Sequence, residues 1–148
     1  MTPQDIEAAA AALDDSERNR RQIGLLSLAY PSITMDDAYA IQAAWVRRKT
    51  ARGRVVMGWK IGLTSKAMQS ALNINIPDSG VLLDDMFFDD GASIPKDRFI
   101  QPRVEAEIAF IMKAPLNGPD CTVADVLAAT SHVAPDRKST RLNSSHRP

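Results

Sequence analysis

"RVEAEIAFIM", residues 103–112, changes side every residue, as a β-strand does, and carries two carboxylates on one of its faces. In a strand, residues i and i+2 point the same way, about 6.5–7 Å apart. Glu105 and Glu107 therefore share a face, and Ala109 and Ile111 continue it. The pattern admits two readings. The strand can be half-exposed, with its polar face toward water. Alternatively it turns inward, and the pair then needs a compensating charge, because buried carboxylates are costly unless neutralised. A divalent cation between the two would supply it.

Working outward, the period of two extends back to residue 54. "RVVMGWKIGL" (54–63) sets Val55, Met57, Trp59, Ile61 and Leu63 against Val56, Gly58, Lys60 and Gly62, and predicts a strand. "SKAMQSAL" predicts a turn or two of helix, "PDSG" (77–80) a turn, "VLLDDMFF" one or two short strands, and "DDGASIPKD" a loop. Before residue 54 the signals are helical. Thr-x-x-Asp, a helix-start pattern, occurs at Thr2, Thr34 and Thr122. The first helix has Pro3 in its first turn, buries Ile6, Ala9, Ala10 and Leu13, and runs into "DDSERNRRQ", expected to be a solvated charged face. The second repeats Ala38, Ile41, Trp45 and Val46 and stops at Gly53. The third, "TVADVLAAT", is short. These elements predict an α+β fold, a helical N-terminal region (1–53) packed on a mixed-β body.

With 148 residues, 45% of them hydrophobic, the chain can form one ordinary domain. Its formal net charge is zero, which gives no field to attract nucleic acid or an anionic membrane. No run approaches the ~18–20 apolar residues of a membrane span, and "MTPQDIE" is not a signal peptide. One cysteine and two histidines make neither an internal disulfide nor a zinc cluster. The expectation is a cytoplasmic protein whose partners are small molecules or copies of itself, with no nucleic acid and no membrane.

Lys60 is a second candidate for chemistry. Gly58 and Gly62 flank it on its face, leaving room beside its stem and permitting close approach by a ligand; a lysine on a solvent face is the plainer reading. Asp78, following Pro77, reads as turn chemistry. The pairs Asp84–Asp85 and Asp89–Asp90 are expected to be solvated loop residues, and Cys121 to be structural.

"GWKIGLTSKAMQ", "PDSGVLLDDMFF", "IPKDRFIQPRVEAEIAFIM" and "PLNGPDCTVADV", in this order and spacing, resemble the hydratase and decarboxylase branch of the fumarylacetoacetate-hydrolase-like superfamily, over about residues 1–135. The resemblance implies a hydratase that adds water to a 2-hydroxy-dienoate or 2-oxo-enoate diacid in aromatic catabolism, such as homoprotocatechuate degradation, with the decarboxylase of the same fold as the alternative. It implies Glu105 and Glu107 as ligands to Mg²⁺ or Mn²⁺, Lys60 as the acid/base, and Asp78 as its partner. The cation would chelate a 2-oxo acid and stabilise its enolate, and the whole protein would be a homo-oligomer.

After "SHVAP" the likeness stops. The position of the family's third ligand, a glutamate, falls on Lys138, and "DRKSTRLNSSH" resembles translated sequencing adaptor. The expected organisation is therefore 1–53, then 54–135 as the first half of the body, then a non-native, disordered tail at 136–148. Of the 18 basic and 18 acidic residues the tail holds four and one, which leaves 14 and 17 in residues 1–135. As written, the chain is expected to be an inactive fragment with at most a binding or assembly role, and to expose apolar strand faces that further chain would cover.

Overall fold

A computed structural model describes residues 1–141. Each Thr-x-x-Asp starts a helix: α1 Pro3–Asn19, α3 Met35–Thr50 and α5 Val123–Ala129. In all three the threonine hydroxyl accepts the aspartate N–H at 3.2 Å and the aspartate carboxylate accepts the threonine N–H, so two donors that lack helical partners are satisfied at each start. A short helix, α2 Leu26–Ala29, lies in the connector before Pro31.

The chain divides into two compact units, Met1–Ile100 and a second beginning at Gln101. In the first unit α1 packs on α3 through Ala9, Ala10, Ile41 and Ala44, with Ile6, Leu13 and Trp45 partly buried around them. Three of the four central residues are alanine, which lets the two backbones approach closely. The charge run is exposed at Asp15 and from Arg18 to Gln22, as expected of a solvated face, but not at Asp14, Ser16 and Glu17. Asp14 is only 1% exposed and takes two hydrogen bonds from the Arg52 guanidinium, at 2.7 and 2.5 Å. Glu17 accepts from the buried Lys49 ammonium at 2.8 Å, and that ammonium also lies 4.6 Å from the centre of the Trp45 ring. The run ties the end of α1 to the end of α3.

Strand β1, Val56–Gly62, pairs antiparallel with β2, Asp78–Leu83, with an irregularity at Met57. The "PDSG" turn is thus corrected: Asp78, Ser79 and Gly80 are extended, because each faces a residue of β1. Between the strands lies α4, Lys66–Leu72, ended by Asn73 in the left-handed region. The outer edge of β2 is covered by side chains of α3. Ser79 N–H donates to Tyr39 Oη at 3.1 Å, Gln42 Nε2 donates to Ser79 O at 3.2 Å, and Val81 N–H donates to Gln42 Oε1 at 2.8 Å. These bonds satisfy an edge that would otherwise be open, and they join the helical region to the sheet. Asp84 and Asp85 form a 3₁₀ turn with Met86 and are not simply solvated: Asp84 accepts Val55 N–H at 2.9 Å and pairs with Arg54, and Asp85 pairs with Lys49.

The second unit is a two-stranded antiparallel ribbon, β3 Pro102–Met112 with β4 Thr130–Arg141, joined by a segment that contains α5. The expected disordered tail is corrected for residues 136–141, which continue β4 in unbroken register with Pro102–Glu107. Backbone pairing to β3 needs no apolar side chains, and the tail sequence supplies few. Residues 142–148 lie outside the described residues.

Neither sheet hides its apolar faces. On β1 the half-buried face is that of Gly58, Lys60 and Gly62, while Met57, Trp59 and Ile61 are 59%, 63% and 54% exposed. On β3, Val104, Ile108, Phe110 and Ile111 are exposed. A two-stranded sheet has too few neighbours to bury both faces. Among the described residues no helix is long and apolar enough to cross a membrane.

Candidate active site

Antiparallel register sets the first cluster. Lys60 lies opposite Gly80, and Asp78 lies opposite Gly62, so the two charged residues occupy the diagonal of a four-residue square whose other corners are glycine. A Cβ on Gly62 would fall 2.0 Å from Asp78 Oδ1, and one on Gly80 would fall 2.8 Å from Lys60 Cε. Each charged side chain leans over the glycine across from it, in space that any other residue would fill. Gly62 was legible as room near the lysine, but the room it makes is for Asp78. Gly58 has open space beside it, and Gly80 is the glycine that accommodates Lys60.

Lys60 Nζ stands 3.9 Å from Asp78 Oδ1, an ion pair too long for a direct hydrogen bond. That oxygen is buried and has no hydrogen-bond partner. A buried carboxylate oxygen with no hydrogen bond, in an ion pair with an ammonium and with both side chains half-buried, is a place where a proton can be held or passed. Asp78 also lines a cleft of about 210 Å³ with Tyr39, Gln42, Leu63, Ile74 and Ser79. Leu63 is one of three non-glycine residues with positive φ among the described residues, at 55°, and its carbonyl accepts from the buried Gln69 amide at 2.6 Å. Gln69 thus holds the backbone turn that follows Lys60. Gln42, Tyr39 and Gln69 were missed in the sequence, where a glutamine or tyrosine on a helix looks like surface.

The second cluster is on the ribbon. Glu105 and Glu107 do share a face and do converge on one cation, and that cation is Lys138. Its Nζ is 3.0 Å from Glu105 Oε2 and 2.5 Å from Glu107 Oε1, because β4 places residue 138 directly opposite residue 105. Burial works against the Lys138 ammonium, but the hydrogen bonds and charges of Glu107 and Glu105 outweigh it and raise its pKa above the ordinary lysine value. Of the two readings of β3, its carboxylates lie nearer the half-exposed one: Glu105 is exposed and Glu107 half-buried. Cys121 is exposed and free, with Sγ donating to Asn117 O at 3.4 Å.

No protein-family model matches the chain. It is 58% identical over 126 residues to a 2-oxo-hept-4-ene-1,7-dioate hydratase from Escherichia coli, covering 85% of this chain and 47% of that protein. It is 45% identical over 134 residues to a 2-hydroxyhexa-2,4-dienoate hydratase from Comamonas testosteroni, covering 89% and 51%. Its fold matches 4-oxalocrotonate decarboxylase from Pseudomonas putida G7, complexed with calcium and acetate, with a TM-score of 0.89 at 37% identity, over 94% of this chain and 54% of that one. In sequence the chain is thus similar to the hydratases, and in fold to the decarboxylase, of the hydratase and decarboxylase branch that its motifs resemble. The chain spans about half the length of the curated hydratases it matches.

The same decarboxylase has also been solved complexed with magnesium and adipate. In the present chain the donor chemistry suits such an ion, since two carboxylates offer hard oxygen ligands on one face. The seat does not fit it, because an ammonium already bonds both carboxylates. Among the described residues no group of three or more His, Cys, Asp or Glu is placed to hold a metal ion.

Proposed function

We propose that the whole protein is a hydro-lyase that adds water to a 2-hydroxy-dienoate or 2-oxo-enoate diacid, giving a 4-hydroxy-2-oxo acid, in aromatic-compound catabolism such as homoprotocatechuate degradation. The observation that carries this reading is the 58% identity to a 2-oxo-hept-4-ene-1,7-dioate hydratase, against 37% to the decarboxylase of the same fold. In hydration of the dienol, water oxygen bonds to C4 and protons are delivered to C3 and C5, one released by the attacking water and one by the C2 enol oxygen as it becomes the ketone, so the protein must hold a proton beside the substrate chain and return it. Lys60 is the residue that holds and moves it. Asp78, 3.9 Å away, orients the ammonium, and Gly62 and Gly80 keep both side chains in place.

Glu105 and Glu107 are the residues that would hold Mg²⁺ or Mn²⁺, whose contribution when bound is to stabilise charge on an enolate oxygen. With Lys138 in their grasp that contribution is closed to this chain, and we expect the 148 residues as they stand to be inactive. The exposed apolar faces of β1 and β3, together with coverage of about half of the matched relatives, support 54–135 as the first half of a larger catalytic body. By the same resemblance the whole protein is a cytoplasmic homo-oligomer.

The test is a completed protein, in which residues 136 onward are replaced by the corresponding part of the Escherichia coli relative. It should consume the dienol diacid and form the 4-hydroxy-2-oxo product without releasing carbon dioxide. Stoichiometric carbon dioxide release would favour the decarboxylase instead, and no turnover of either kind would remove the reading.

A further inference from the structure

The ribbon register makes residue 138 the arbiter of the carboxylate pair. We propose that Lys138 acts as a built-in cation that keeps divalent metal out of this chain, and that changing this one residue opens a metal site. The proposal rests on Glu105 and Glu107 being the ligand pair. Three observations carry it. First, Lys138 Nζ is within hydrogen-bond distance of both carboxylates at once, so it occupies the point on which two i, i+2 carboxylates converge. Second, the backbone fixes it there: Glu105 pairs with Lys138 in a register continuous from Pro102 to Ile111, so the ammonium is supplied at the high effective concentration of an intramolecular group. Third, Asp136 stands opposite Glu107 and two residues from Lys138, so it is on the same face. That face carries three carboxylates and two cations, the Lys138 ammonium and, two residues before Glu105, the Arg103 guanidinium. Replacing the ammonium with a neutral group adds one unit of negative charge, and replacing it with a carboxylate adds two, without moving the backbone.

A divalent ion must therefore displace a hydrogen-bonded ammonium and then remain within a few ångströms of it. Magnesium, which loses its own water reluctantly, is the ion least able to do so. The ion pairs are partly exposed, so the exclusion is a matter of affinity and is open to measurement.

The experiment titrates Mn²⁺, followed by the EPR signal of the free ion and then by Mg²⁺ competition, into the full 148-residue chain and its Lys138→Met, Lys138→Glu and Lys138→Arg variants. Far-UV circular dichroism checks that the ribbon persists. The same titration is run in the completed protein with residue 138 as Lys or Glu, so the result does not depend on how well the short chain behaves. Lys138→Met should bind at least tenfold more tightly than the unaltered chain and Lys138→Glu more tightly still. Lys138→Arg should stay at the unaltered level, and Glu105→Gln with Glu107→Gln should abolish the gain. If the unaltered chain binds Mn²⁺ as tightly as Lys138→Met and the binding is lost with the two glutamates, the exclusion is overturned while the ligand pair stands. If Lys138→Glu fails to bind in both proteins, the exclusion and the ligand pair fall together.

Discussion

Gly80 stands directly across the sheet from Lys60, and a Cβ built on it would lie 2.8 Å from the lysine Cε and 3.1 Å from Cγ. The glycine is therefore part of how the lysine is aimed. In the completed protein Gly80→Ala should displace the Lys60 stem while leaving the strands paired, lowering kcat by about 10–100-fold. Gly62→Ala should act in the same way through Asp78, whose Oδ1 would be only 2.0 Å from the new carbon. Steady-state kinetics beside thermal melting would check this, with kcat falling much further than stability.

Asp14 is a test of the helical pair. Its carboxylate is buried and held below the ordinary aspartate pKa, chiefly by the Arg52 hydrogen bonds. Asp14→Asn leaves a guanidinium facing a neutral amide and should destabilise the α1–α3 packing by about 2 kcal/mol, read from the denaturant midpoint of the helical circular-dichroism signal.

Asp37 sets an acid dependence. The N-terminal ammonium of Met1, at 2.8 Å, and the Thr34 backbone and hydroxyl bonds bring its pKa down from 3.8 to about 2. A carboxyl with a depressed folded pKa stabilises the fold above its unfolded value and loses that contribution as pH falls through the folded one. The stability difference between the chain and Asp37→Asn should be full near neutrality and shrink to nothing between about pH 3.8 and about pH 2. Urea titrations at four or five pH values would follow it.

The exposed apolar faces should announce themselves in solution. The 148-residue chain should bind an environment-sensitive dye and tend to aggregate, with Trp59, isolated by Trp45→Phe, emitting at a long wavelength and open to quenching by acrylamide. In the completed protein Trp59 emission should shift to shorter wavelength and quenching should fall. A protected Trp59 and a sharp melt in the short chain would contradict the exposed sheet face.

The helices were legible because their signal is local: a Thr-x-x-Asp start and an apolar stripe are complete within a few residues, and all three capping boxes formed. The strands around Lys60 and Glu105 were legible by alternation. What alternation cannot give is which face is covered. On β1 the apolar face of Trp59 is the open one, because the covering partner is decided by residues distant in sequence. "PDSG" failed for the same reason, since pairing with β1 overrode turn composition. Asp14 read as surface until Arg52, 38 residues away, supplied its countercharge. At the candidate site, the i, i+2 spacing of Glu105 and Glu107 foretold a shared cation, but its source lay on another strand, at Lys138.

The central claim, that Lys60 moves the proton while Glu105 and Glu107 hold the metal, is tested most directly by measuring hydratase turnover and Mn²⁺ binding side by side in the completed protein. The account predicts that Lys60→Ala keeps Mn²⁺ affinity within about twofold and loses turnover by about 10³-fold, whereas the Glu105→Gln, Glu107→Gln pair loses both. Full turnover in the double glutamine variant, or in Lys60→Ala, would contradict it.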